Sequence, residues 1–187
     1  MAHAGGWTGE LYDLPQGHSW TAKPGYKVLV LDRGAVVLEF PASWFVQPGR
    51  HQTDIRDRPT AAESSCVLAV SYLRLPPADW SALPLSQLLL DVAQADDRER
   101  IGLGPVIEAG RAGLEVAWTE ARVVDSNERR DSRSRMCLAR GGGIQCLISF
   151  DFWPEDETRH APVWAAVLDS LRLGARVDDP TVGRRMG

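Results

Sequence analysis

The sequence is short of the residues from which most enzymes and metal sites are built. Its 187 residues include three cysteines and four histidines. Cys66, Cys137 and Cys146 are too few for a disulfide framework and lack the close paired spacing of a zinc site. His3, His18, His51 and His160 are scattered, and none sits in a spacing such as H-E-x-x-H that would put two ligands on one helical face. There is no G-x-S-x-G elbow, and Gly141-Gly142-Gly143 lacks the lysine and following serine or threonine of a phosphate loop. A basic excess is also missing. A net charge of −4 and a pI near 5.6 give no bulk attraction to nucleic acid or to an anionic membrane. Only three tyrosines and four phenylalanines are present to stack bases. No window approaches the roughly 18 apolar residues of a membrane span, and the first twenty residues lack the basic start and apolar run of a secretory leader. Membrane insertion is therefore not expected, and a cytoplasmic location is.

What is present suffices for one core. Hydrophobic residues make up 44% and charged residues 25%, a balance that at this length predicts a single domain. The segment GYKVLVLDRGAVVLEFPASW, residues 25 to 44, reads as a β-hairpin. With Asp32-Arg33-Gly34 as a three-residue turn, Tyr26 faces Phe40, Val28 faces Leu38 and Val30 faces Val36, all on one side. Lys27 then lies opposite Glu39, an opposite-charge pair favouring the same register. Residues 1 to 24 read as a poorly ordered lead-in that anchors through Trp7, Tyr12 or Trp20, and the tail after Gly174 reads as disordered.

Between them the chain alternates strands with two helices. A proline-bounded connection holds one short strand around Ile55, and residues 66 to 75 form a strand by their β-branched and aromatic content. Leu85, Leu88, Leu89 and Val92 recur at helical spacing after Pro84. The helix fades into the charge run of residues 96 to 100. Residues 105 to 124 predict two strands around Gly110 to Gly113, and the triple glycine tips another hairpin. A two- or four-residue loop centred there would set Cys137 across from Cys146, where two reduced, buried thiols are the expectation. An acidic knot, Glu155 to Glu157, precedes a final helix over residues 161 to 173 with Val163, Trp164, Val167, Leu168 and Leu171 on one stripe. Strands apolar on both faces imply cover on both sides of the sheet.

This order of elements carries a resemblance. A first hairpin ending in Phe40, Pro41 and Trp44, a middle helix, a glycine turn before a long strand (Gly110 to Trp118), a glycine-tipped hairpin and a closing Val167 to Leu171 resemble the Mog/PsbP-like superfamily, nearest to its DcrB-like bacterial branch. The fold implied is α+β, a twisted and mainly antiparallel sheet between helices, spanning residues 25 to 173. Members of that superfamily include an extrinsic photosystem subunit, a nuclear-import factor, envelope lipoproteins and cytosolic chaperones. Their shared theme implies a non-catalytic protein-binding module, a chaperone or adaptor, with no cofactor and no metal.

The candidate contact residues are charged and aromatic. Arg133 and Arg135 project from the same face of a strand and, with Arg129 and Arg130, suit a partner protein bearing an acidic patch better than nucleic acid. Trp80 and Trp153 lie at loop edges, where exposed tryptophan is enriched at interfaces. A homodimer through an exposed strand edge is a further expectation. The alternative is a small-molecule binding protein or an enzyme with a cleft between sheet and helix, for which His160, a surface residue near a helix start, is the general-base candidate.

Overall fold

In the computed structural model, residues 18 to 80 and 82 to 185 are described, and the side chains of Arg184 and Arg185 are not. Strand β1 is Tyr26–Leu31, β2 Val36–Pro41, β3 Phe45–Pro48, β4 Thr53–Arg56 and β5 Cys66–Arg74. Helix α1 is Leu85–Ala95, followed by β6 Arg100–Leu103, β7 Ile107–Glu108, β8 Glu115–Val124, β9 Asp131–Gly141 and β10 Ile144–Phe152. Helix α2 is Glu157–Ser170, and β11 Arg172–Leu173, β12 Val177–Asp179 and β13 Arg184–Arg185 close the chain.

An eight-stranded antiparallel sheet in the order β3-β4-β5-β10-β9-β8-β6, with β7 also on β8, forms the middle layer. The period of two in β9 and β10 sends alternate side chains to opposite faces. On one face Leu68, Cys137, Cys146, Ile148 and Phe150 pack under a second layer made of α2 and the small sheet β1-β2-β11. On the other, Ala117, Ala121, Met136 and Leu138 pack under Leu85, Leu89 and Ala93 of α1. Both faces are covered, as the doubly apolar strands require. The edges of the large sheet are short. Pro48 ends β3, and Gly104-Pro105 separates β6 from β7, a break that discourages strand addition there.

Several expectations are corrected by the coordinates. In the first hairpin Leu29 pairs with Leu38 and Lys27 with Phe40, one residue out of the expected register, because Ala35 joins Asp32, Arg33 and Gly34 in a four-residue connection. Glu39 therefore faces Val28, while Lys27 lies over the Phe40 ring at 5.0 Å and donates to the Trp44 carbonyl. The β9–β10 tip is the two-residue turn Gly142-Gly143, one position later than a Cys137–Cys146 pairing needs. Cys137 consequently faces Ile148, Cys146 faces Ala139, and the three cysteines are free and buried. Helix α2 begins at Glu157, four residues before the expected start, so His160 lies within it and is completely buried. Beyond Gly174 the described residues, 175 to 185, carry two short strands. Strands β12 and β13 pair, Val177 is buried, and Trp20 Nε1 donates to Pro180 O at 2.7 Å while Ser19 bonds Val182 and Gly183. Of the three proposed anchors Trp20 is the one seen to hold, and Trp7 and Tyr12 lie outside the described residues.

Candidate functional site

The long strands give the molecule two ends. At one end lie the β8–β9 turn, the end of β10 and the start of α2, and the arginine-rich hairpin with Trp153 falls here. Arg129 is exposed with φ of 54°, and its amide donates to Asp125 O. Arg130 stacks over half-buried Trp153 at 3.6 Å and pairs with Glu155 at 3.2 Å. Arg133 and Arg135 share a face, as expected, but it is the core face, in phase with Cys137 and Ala139. There Glu120 across the ladder accepts from both, and Glu157 lies 3.2 Å from Arg133 and 3.7 Å from Arg135. Arg135 is buried and its guanidinium is shared between two carboxylates, Glu120 and Glu157, which leaves it no outward role. The cations here are largely consumed by neighbouring carboxylates.

His160 is at this same end and cannot serve as a surface base. Trp44, Phe150 and Phe152 surround its ring at centroid distances of 5.8, 5.2 and 5.3 Å. Burial, aided by the neighbouring Arg159 cation, holds its pKa down to about 4, so it is neutral at pH 7. Arg159 also lies 3.2 Å from Asp57, which accepts from both Ser64 and Ser65. Those hydroxyl bonds and Arg159 depress the Asp57 pKa against a desolvation that alone would raise it. Among the described residues no histidine nitrogen is hydrogen-bonded to either serine, and no relay is assembled there. Burial pushes the Cys66 and Cys137 thiols up to about 12, far from a thiolate nucleophile. Among the described residues no group of three or more His, Cys, Asp or Glu side chains is placed to hold a metal ion.

Trp80 is at the opposite end, beside the glycine tip, so the two tryptophans do not share a surface. Here the loop after β5 (Leu75, Pro76, Pro77, Trp80) and the turn before β8 (Gly110 to Glu115) wall an open groove of about 850 Å³. Trp80 is half-buried, its indole donating to Pro76 O at 3.2 Å. The floor is glycine packed against backbone. A Cβ on Gly141 would meet Gly113 O at 2.5 Å, whereas above Gly113 and Gly143 there is open space.

Two arginines in this groove were not singled out from the sequence. Arg140, at the end of β9, is 6% exposed; its guanidinium donates to Leu83 O at 3.1 Å and to Glu115 at 2.7 Å. Its Nε has no hydrogen-bond partner among the described residues. The signal that could have found it is the β8–β9 register, which sets Arg140 directly opposite Glu115. Arg111 donates to Leu168 O and Leu171 O, the unpaired carbonyls at the C-terminal end of α2, where a cation also complements the helix dipole. It has no carboxylate partner among the described residues. No sequence pattern announces that contact, since 57 residues separate Arg111 from Leu168.

A covered, mainly antiparallel sheet with one helix on each side is the Mog/PsbP-like α+β fold. The solution structure of CyanoP, the cyanobacterial PsbP of Synechocystis sp. PCC 6803, matches with a TM-score of 0.56 at 12% identity, over 81% of this chain and 94% of that one. A mutant form of the protein Mog1 matches with a TM-score of 0.51 at 10% identity, over 79% and 95%. At these identities the likeness is one of fold. Within it the chain belongs to the Alr1449 family, whose model matches residues 27–177. An uncharacterized protein, alr1449 of Nostoc sp. (strain PCC 7120), is 37% identical over 178 residues, 95% of this chain and 92% of its own length.

Proposed function

We propose that the protein is a non-catalytic binding module, a chaperone or adaptor, whose contact with a partner protein is the groove between Trp80 and the Gly110–Glu115 turn. The observation that carries this reading is the groove itself. It joins a half-buried tryptophan, prolines that need no ordering on binding, and a buried arginine in one open concavity. The chemistry of the other end supports it by contrast, since its histidine is sealed and neutral and its cations are paired internally. Trp153 with Arg129 and Arg130 is then a secondary contact, with its ring already covered on one face by Arg130. The three buried, unbonded thiols favour work in the reducing cytoplasm.

A photo-crosslinking amino acid placed at position 80, and separately at 153, tests the assignment in the native cells. One partner crosslinked from position 80, with its co-purification lost in Trp80→Ala and kept in Trp153→Ala, is the expected result. Loss only in Trp153→Ala would move the contact to the arginine hairpin. A bound small molecule in place of a protein would favour a ligand-binding function.

A further inference from the structure

The chemistry of the partner is written in the groove wall, provided that the groove is the contact surface. A guanidinium that is nine-tenths buried needs a compensating carboxylate, and Arg140 has one from an unusual source. Glu115 is 62% exposed, so most of the partner side chain stands in water and can give way once another carboxylate takes its place. The far-end equivalent, Glu120, is 20% exposed and is held by two arginines. Arg111 nearby spends its charge on carbonyl oxygens alone. The groove thus contains cationic capacity that the chain itself fills loosely. Its floor narrows the class of ligand. With open space above Gly113 and Gly143, an occupant meets main chain, which suits an extended peptide, and Leu75, Pro76 and Trp80 beside it suit an apolar side chain.

We propose that the groove recognises an extended, carboxylate-bearing segment of a protein partner, whose acidic group displaces Glu115 from Arg140 while an adjacent apolar residue packs on Trp80. Glu115 is then an internal stand-in for the ligand. Removing it strengthens binding of an acidic peptide, the opposite of what removing a contact residue does.

The probe is an array of immobilised heptapeptides with a central Glu, Asp or Gln and varied flanks, incubated with the full chain. Central-acid peptides with an apolar neighbour are expected to bind about tenfold more strongly than their Gln counterparts, the worth of one charge-assisted hydrogen bond. Glu115→Gln should raise the acidic signal about threefold to tenfold, and acidic peptides should shift the Nε–H resonance of Arg140, assigned by its loss in Arg140→Lys. Unchanged or weakened binding in Glu115→Gln would overturn the proposal, and so would 3-phenylpropionate shifting that resonance as strongly as the peptides do. If crosslinking from position 80 succeeds while acidic and Gln peptides bind alike, the groove stands and carboxylate recognition falls. If crosslinking and peptides both fail, the binding reading falls with it.

Discussion

The two ends of this molecule use the same residue types to opposite effect. At the Trp153 end, Arg130, Arg133 and Arg135 meet Glu155, Glu120 and Glu157 in a network in which Glu120 and Glu157 each serve two arginines. At the Trp80 end, among the described residues, Arg140 has one solvent-exposed carboxylate and Arg111 has none. A cation whose partners are rigid and shared is part of the scaffold. A cation whose partner is solvated, or whose acceptors are neutral, retains something to offer another molecule. Counting arginines cannot separate these cases. The exposure of the acid opposite each one can.

Matched substitutions sharpen this contrast most. Glu120→Gln leaves two poorly compensated guanidinium groups on a core face and is expected to cost about 3 kcal/mol in urea unfolding. Glu115→Gln, a change of the same chemistry at the other end, should cost less, about 1 to 2 kcal/mol, since a single guanidinium loses its carboxylate and keeps the Leu83 carbonyl. Equal costs would break the distinction. Acid tests the sealed end specifically. The folded pKa of His160 is about 4 against 6.5 for a free histidine, so between these values the unfolded chain binds the proton that the fold rejects. Stability is therefore full above pH 6.5 and falls, by up to roughly 3 kcal/mol, as the pH drops toward 4. The depressed carboxyl of Asp57 adds a loss of the same sign, but only at lower pH, below its ordinary 3.8. His160→Leu should flatten the upper window and leave the lower one. A smaller effect is expected at the tip. Gly142→Ala places a Cβ 2.8 Å from Leu173 O at a φ of 55°, whereas Gly143→Ala at 73° meets no atom within 4 Å. The first should cost about 2 kcal/mol and the second about 1 kcal/mol in thermal unfolding, since strain is common to both and collision is not.

The architecture was legible in the sequence because its strongest signals are local. Pro84 and the spacing of Leu85 and Leu89 place α1, and β5, β8, β9 and β10 announce themselves by β-branched and alternating residues. The first hairpin shows where such signals stop. Val28 and Val30 lie on one face and Leu29 and Leu31 on the other, so either register buries an apolar row, and the pattern cannot choose. The choice falls to the turn, where Asp32 and Arg33 both adopt positive φ alongside Gly34, a conformation that side-chain preferences disfavour. Strands β3 and β6 escaped notice for being short and polar or proline-bounded. At the sites, alternation from Cys137 already puts Arg133 and Arg135 on the buried face, a deduction that charge alone obscured. The groove was beyond reach, because its walls come from segments that meet only when β5, β8 and the glycine tip converge.

The lashing of Ser19 and Trp20 to Pro180, Val182 and Gly183 has a consequence for how the chain can be handled. It brings positions 160 to 164 residues apart in sequence side by side in space. A short linker could join them and new ends be opened elsewhere, for example in the exposed stretch Ala61-Ala62-Glu63, without parting any strand of the large sheet. A permuted chain of that kind would carry its fusion partners at the Asp57 end, leaving the groove unobstructed.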